Sequence, residues 1–131
     1  MSRIMPMLRR MLIVDDNSSI RHLLRAAIEN ISGWKVCGEA VNGREAIEKA
    51  QELKPNLIVL DLAMPIMNGL EAAPLLRRLL PAVPIILYTL HDNKAVERVA
   101  FSLGISAVVS KAAGITTLVT QAQDLLRTAS G

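Results

Sequence analysis

Three carboxylates, a hydroxyl and an ammonium follow short apolar runs of the sequence, and together they could support phosphoryl chemistry. Asp15 and Asp16 follow the first run, Asp61 follows the third, Thr89 closes the fourth, and Lys111 comes just after the fifth. Clustered carboxylates repel one another, and a hard cation such as Mg²⁺ relieves that repulsion. Asp61 could then act as a carboxylate nucleophile and form an aspartyl phosphate. Phosphoryl transfer mainly needs positioning and neutralised oxygen charge, which Mg²⁺ and Lys111 would supply.

The apolar runs themselves have the character of β-strands. Each run is short and is bounded by polar, Gly or Pro residues, and three are rich in β-branched side chains. The runs are 11–14, 34–37, 57–60, 84–88 and 107–109. Their alternation with helical segments predicts an α/β fold, with a doubly wound parallel sheet of five strands, five helices and right-handed crossovers. The length suits a single domain over 1–131, with its core at about 11–128.

The segments between the runs carry apolar residues at three- and four-residue steps, as on one face of a helix. The first such face comprises Ile20, Leu23, Leu24, Ala27, Ile28 and Ile31, and the fourth comprises Val96, Val99, Ala100 and Leu103. We expect Asp92 to cap the start of the fourth helix and Gly104 to stop it. The third helix is predicted to run from 68–69 to 79–81, although Pro74 inside it predicts a late start or a bend.

In a parallel α/β sheet, ligand sites form outside the carboxyl ends of the strands. We therefore expect the five polar residues, which are far apart in the sequence, to gather at one edge of the sheet. Each acid alone could be an ordinary turn or cap residue. Lys111 could also be a purely structural partner of Asp61.

Composition excludes several other classes of function. The net charge of +3 is small, and the basic residues lack the aromatic interleaving of a single-strand nucleic-acid surface, so no direct nucleic-acid binding is expected. Cys37 is the only cysteine, which rules out an intramolecular disulfide and favours a small buried residue on a strand. No apolar run reaches the length of a membrane span. A cytoplasmic protein is therefore expected.

These motifs together resemble the receiver domain of bacterial response regulators. The matching stretches are 13–17, 57–65 with 68–69, 86–89 and 109–111, in the order and at the strand ends that the family has. The likeness covers nearly the whole chain from about Met11, and it is greatest to receivers attached to LuxR-type helix-turn-helix domains. It implies a flavodoxin-like sheet with strand order 2-1-3-4-5.

The resemblance also implies a role for each site residue. Asp61 matches the phosphoacceptor, and Asp15 and Asp16 match the acidic pair that holds Mg²⁺ together with Asp61. The main-chain carbonyl of Ala63 matches a further Mg²⁺ ligand. Lys111 matches the lysine that contacts the acceptor carboxylate or a phosphoryl oxygen.

The implied partners are a histidine kinase or a phosphotransfer protein, whose phosphohistidine is the donor.

Thr89 matches the switch hydroxyl that moves toward the phosphoryl group. The implied output surface comprises the fourth helix, fifth strand and fifth helix, where a second copy or an output protein would bind. The family's own phosphorylation and dephosphorylation are the only reactions implied, so no further enzyme activity is expected.

The sequence departs from the family at two positions near the site. Val108 stands where receivers often have an aromatic switch residue, and Tyr88 is expected to point away from Thr89 into core packing. Ala112 stands where many receivers have a proline, and we expect a trans peptide before it. Val108 motivates an alternative, a phosphorylation-independent pseudo-receiver that acts as a protein-interaction module. A hydrolase of the haloacid dehalogenase kind is less favoured, because those enzymes place Asp-x-Asp after their first strand.

Overall fold

The strands form one parallel sheet whose order is that implied by the sequence. The computed structural model describes residues 8–130, with side chains through 128. The strands are β1 (Arg9–Val14), β2 (Trp34–Ala40), β3 (Leu57–Leu60), β4 (Ile85–Thr89) and β5 (Ala107–Ser110). They lie in the order β2-β1-β3-β4-β5, and every neighbouring pair is parallel. The predicted doubly wound, flavodoxin-like fold class is confirmed.

Five α-helices alternate with these strands, as predicted. They are α1 (Ser18–Glu29), α2 (Gly43–Leu53), α3 (Gly69–Leu79), α4 (Lys94–Ser102) and α5 (Ile115–Ser130). A short 3₁₀ turn over Lys111–Ala113, which the sequence analysis did not predict, separates β5 from α5. Among the helices that the structure describes, none combines the length and the apolar character that a membrane span requires.

The sheet separates two apolar layers because successive side chains of a strand point to opposite faces. In β1, Leu12 and Val14 pack with buried side chains of α2, α3 and α4. Met11 and Ile13 pack on the other face with buried side chains of α1 and α5. Helices on both faces explain why the central strands are apolar throughout rather than alternating.

Two residues of the predicted helix faces are exposed rather than buried. Leu23 is 58% exposed on α1, and Val99 is 46% exposed on α4. Cys37 lies on β2 as predicted, but it is half-buried rather than buried. It occupies the register shift between β1 and β2, where its thiol donates to the Met11 carbonyl. Burial raises the pKa of this thiol.

The predicted cap of α4 is wrong by one residue. Asn93, not Asp92, is the last extended residue before the helix, and its side chain accepts a hydrogen bond from the Val96 N–H at 2.9 Å. The two neighbours are equally good capping types, so only the position of the first helical turn decides between them. Gly104 follows the helix with φ of +96°, which confirms the predicted stop.

Helix α3 begins where Asn68 predicts it, so the late start predicted from Pro74 is wrong. The Asn68 side chain accepts from the Glu71 N–H at 2.8 Å, and the Glu71 carboxylate accepts from the Asn68 N–H at 2.9 Å. This reciprocal cap satisfies two N–H groups that the helix would otherwise leave unpaired. It fixes the first turn at Gly69, and the helix continues through Pro74 to Leu79.

Candidate functional site

The carboxyl ends of four strands bring the predicted site residues to one edge of the sheet. Asp15 follows β1, Asp61 follows β3, Thr89 ends β4, and Lys111 follows β5. A cavity of about 200 Å³ opens at this edge. Its lining residues are Asp15, Asp16, Asn17, Asp61, Ala63, Leu90, His91 and Lys111. Thr89 is completely buried behind the cavity and does not line it.

The three acids form one cluster with a single lysine. Asp15, Asp16 and Asp61 each offer a carboxylate oxygen, and these oxygens all lie within 4.8 Å of one another. Asp15 and Asp61 are buried, with 2% and 6% of their surface exposed, whereas Asp16 is exposed. The Lys111 Nζ lies 2.7 Å from Asp15 Oδ2 and 3.4 Å from Asp61 Oδ1. The ammonium is therefore closer to Asp15 than to Asp61.

The charges in this cluster are not balanced. Burial, and then the charge of Asp15, raise the pKa of Asp61, although Lys111 partly opposes the shift. Burial alone would lower the pKa of Lys111, but its hydrogen bond to Asp15 and the charges of Asp15 and Asp61 raise it. The cluster thus holds three carboxylates and one ammonium, which contacts only Asp15 and Asp61. A set of hard oxygen donors with excess negative charge fits a divalent cation such as Mg²⁺.

Backbone and side-chain hydrogen bonds hold Asp15 in place. The Asn17 N–H donates to Asp15 Oδ1 at 2.9 Å, and the Asn17 side chain caps α1. The Asp15 N–H donates to the Ala40 carbonyl at 3.0 Å. The Arg21 guanidinium donates to the Asp15 carbonyl at 2.7 Å. The acidic loop is therefore attached to both β2 and α1.

The loop after β3 and the start of α3 hold Asp61 in place. Its N–H donates to the Val14 carbonyl at 2.9 Å, and its Oδ1 accepts from the Leu62 N–H at 2.8 Å. Gly69 donates its N–H to the Leu62 carbonyl at 2.8 Å. A Cβ at Gly69 would lie 2.1 Å from the Asp61 carbonyl oxygen, so only glycine allows α3 to approach this closely.

Thr89 and Tyr88 lie on opposite faces of β4, as predicted. The Thr89 hydroxyl accepts a hydrogen bond from the His91 N–H at 3.0 Å. Val108, on the neighbouring strand, packs with the layer beneath α2, α3 and α4. Tyr88 packs with α1 and α5, which confirms its predicted core role, and the Lys111 Nζ lies 6.0 Å from the centre of its ring. No peptide bond that the structure describes is cis, so the bond before Ala112 is trans as expected.

The family model for the response regulator receiver domain matches residues 11–123. The chain belongs to this receiver family. Chemotaxis protein CheY of Thermotoga maritima is 38% identical over 103 residues, which cover 79% of this chain and 85% of that protein. The crystal structure of a LuxR-family two-component response regulator from Aurantimonas sp. SI85-9A1 superimposes with a TM-score of 0.87 at 32% identity, covering 92% of this receiver and 86% of that chain. The predicted likeness to LuxR-family receivers is thereby confirmed.

Other relatives are much longer than this receiver. The protein-glutamate methylesterase/protein-glutamine glutaminase of Maricaulis maris is 38% identical over 104 residues, which cover 78% of this chain but only 26% of that protein. The general role of the family is phosphorylation-dependent signalling.

Three residues near the site were missed by the sequence analysis. Asn17 could have been found, because an Asn before Ser-Ser and a helical period is a typical N-cap. Arg21 lies near the start of α1, where the helix dipole disfavours a cation, and that position signals a need for partners. His91 gives no comparable signal, since its place in the cavity depends on the path of the loop after β4.

Proposed function

We propose that this receiver is a phosphorylation-dependent switch of a two-component phosphorelay, in which Asp61 accepts the phosphoryl group. The observation that carries the proposal is a buried carboxylate with a raised pKa, 3.4 Å from an ammonium and clustered with two further acids. The donor would be the phosphohistidine of a histidine kinase or a phosphotransfer protein.

The transfer would proceed by direct displacement at phosphorus. An Asp61 oxygen attacks phosphorus, the P–N bond breaks as the P–O bond forms, and the imidazole leaves with the electron pair.

Hydrolysis would reset the switch. Water attacks phosphorus, the P–O bond to Asp61 breaks, and the products are inorganic phosphate and the free carboxylate. The protein thus acts only on its own acyl phosphate, and we propose no further enzyme activity.

Asp15, Asp16, Asp61 and the main-chain carbonyl of Ala63 would hold Mg²⁺. The crowded carboxylates support this assignment, and so does the place of Ala63 in the cavity wall. Bound Mg²⁺ supplies positive charge to the phosphoryl oxygens. Lys111 would donate to a phosphoryl oxygen in exchange for its contact with Asp15.

Thr89 would carry the signal from the site to a surface formed by α4, β5 and α5. Its hydrogen bond with His91 uses an oxygen lone pair, which leaves the O–H able to donate to a phosphoryl oxygen. On the proposed surface, α4 exposes Val99 and Phe101, with 46% and 52% of their surface accessible. The partner there would be a second copy or an output protein in the cytoplasm, and we propose no direct contact with nucleic acid.

Acetyl phosphate labelling tests the proposal. The protein is incubated with Mg²⁺ and acetyl phosphate, and its intact mass is compared with that of the Asp61→Asn variant. The expected result is a labile gain of one phosphoryl group in the parent alone. Equal labelling of the variant would remove Asp61 from the acceptor role.

A pseudo-receiver is the second candidate, and Val108 is the observation that favours it. Val108 is too small to swing between two positions as an aromatic side chain does. Beryllofluoride with Mg²⁺, which mimics an aspartyl phosphate, separates the two functions. A phosphorylation-dependent switch changes its spectrum or its oligomeric state when beryllofluoride and Mg²⁺ are added, whereas a constitutive binding module changes neither.

A further inference from the structure

We propose that Arg21 is a positioning residue that fixes the loop carrying Asp15 and Asp16, and thereby sets the Mg²⁺ affinity of the acidic cluster. This inference rests on the proposed function of the cluster as a Mg²⁺ site. Arg21 does not line the cavity and would not touch the metal. It acts through the backbone that holds the ligands.

One guanidinium joins the acidic loop to the end of β2. The Arg21 NH1 donates to the Asp15 carbonyl at 2.7 Å, and its Nε donates to Glu39 Oε1 at 2.9 Å. The Arg21 side chain is only 16% exposed, whereas its partner Glu39 is 32% exposed. The planar guanidinium of arginine has donors in a fixed arrangement, so it restrains the groups that it binds better than the flexible ammonium of lysine does. The carbonyl that it holds belongs to the peptide linking Asp15 to Asp16.

Glu39 makes this contact compatible with a cation site. A lone guanidinium beside the loop would repel Mg²⁺, but Glu39 supplies a compensating negative charge. Burial by itself would raise the pKa of Glu39, whereas its hydrogen bonds to Arg25 and Arg21 and their charges lower it overall. The carboxylate is therefore ionised at neutral pH, and it offsets part of the positive charge of Arg21 while it also pairs with Arg25.

Arg25 provides a matched control on the same helix. It donates to Glu39 Oε2 through Nε at 2.9 Å and through NH2 at 2.7 Å. The contacts described for Arg25 are with Glu39 and Glu29, and none is with Asp15. Arg21→Gln and Arg25→Gln thus remove the same charge from the same carboxylate, and only the first removes the restraint on the acidic loop.

The direction of the change in Mg²⁺ affinity distinguishes a positioning role of Arg21 from a purely electrostatic one. If Arg21 influences the site only through its charge, removing that charge strengthens Mg²⁺ binding. If it positions the ligands, removing it weakens binding. Loss of an outer residue that orients metal ligands typically costs about tenfold or more in affinity.

The experiment measures Mg²⁺ affinity by titration calorimetry for the parent, Arg21→Gln and Arg25→Gln. It also measures amide hydrogen exchange at Asp16 and Asn17 without metal. We expect Arg21→Gln to bind Mg²⁺ about tenfold more weakly and to exchange faster at these amides, while Arg25→Gln stays close to the parent in both measurements. Arg21→Lys keeps the charge and loses the fork, so it should also bind more weakly; it replaces Arg21→Gln if that variant does not fold.

Unchanged or tighter Mg²⁺ binding in the Arg21 variants would overturn the inference while leaving the proposed function intact. Equal losses in the Arg21 and Arg25 variants would also overturn it, because the effect would then belong to the Glu39 ion pairs. A parent protein that binds no Mg²⁺ would instead contradict the proposed function. The metal-free amide exchange would still decide whether Arg21 restrains the loop.

Discussion

The acidic side of the pocket is held by many contacts, whereas the Thr89 side is held by few. Asp15 accepts hydrogen bonds from Asn17 and Lys111 through its carboxylate and from Arg21 through its carbonyl. The hydroxyl of Thr89 is held by a backbone N–H of the loop that follows, and Leu90 in that loop is 71% exposed. Under the proposed function, the acidic side would be arranged before a phosphoryl group arrives, and the loop that follows Thr89 would be the part that rearranges afterwards.

The largest effect is expected from removing the ammonium of the acidic side. Lys111→Met leaves two buried carboxylates without their cation, which should lower the free energy of unfolding by about 3 kcal/mol. Urea denaturation without Mg²⁺ measures the loss. Lys94→Met, at the exposed start of α4, is the control and should change little. A Lys111 variant as stable as the control would show that the acidic side is not held by this ion pair.

A substitution at Gly69 should disturb the Asp61 loop next most strongly. In Gly69→Ala the new methyl group would meet the Asp61 carbonyl at 2.1 Å, and overpacking of this kind costs about 2 kcal/mol. Acetyl phosphate labelling should slow as well, because the acceptor shifts. Gly33→Ala is the control, since its Cβ meets nothing within 4 Å and only its φ of +84° opposes the change. Equal labelling rates in the two variants would contradict the predicted shift of Asp61.

Thr89→Val should separate phosphorylation from output. The loss of one buried hydrogen bond costs about 1 kcal/mol, and Asp61 should still be labelled by acetyl phosphate. The beryllofluoride-induced changes in α4, followed by amide NMR shifts, should disappear in this variant and persist in Thr89→Ser. If α4 still responds in Thr89→Val, the signal does not pass through this hydroxyl.

The smallest effect is a pH-dependent gain of stability in Asp61→Asn. Burial and Asp15 raise the pKa of Asp61 in the folded protein. The folded state therefore holds this proton more tightly than the unfolded state, and stability is lost as the pH rises through the two pKa values. In EDTA at neutral pH the variant should melt a few degrees above the parent, and the difference should vanish in acid. A variant that melts below the parent at neutral pH would show that the ionised Asp61 carboxylate stabilises the folded protein, contrary to the prediction.

Much of the fold could be predicted from the sequence because the strands are buried and apolar on both faces. The run 57–60 matches β3 residue for residue, and the alternation of elements predicted the sheet with helices on both sides. The cap of α4 could not be predicted, because Asp92 and Asn93 are adjacent and cap equally well. Of the late start or bend predicted from Pro74, the late start was wrong, since the reciprocal cap of Asn68 and Glu71 fixes the first turn of α3 at Gly69.

The site was predictable in its members but not in its contacts. Strand ends indicate which residues meet, and they placed Asp15, Asp61 and Lys111 at one edge. They do not indicate that Lys111 lies closer to Asp15 than to Asp61, which depends on side-chain geometry. They also do not reveal Arg21, whose partners come from another strand and from a backbone carbonyl.

The most direct test of the central claim is to locate the phosphoryl group chemically. The protein is phosphorylated with acetyl phosphate and Mg²⁺, and borohydride then reduces the aspartyl phosphate to homoserine before peptide mass mapping. We predict homoserine at position 61 alone, and none in a sample treated with borohydride without prior phosphorylation. Homoserine at Asp15 or Asp16 would contradict the claim that Asp61 is the acceptor.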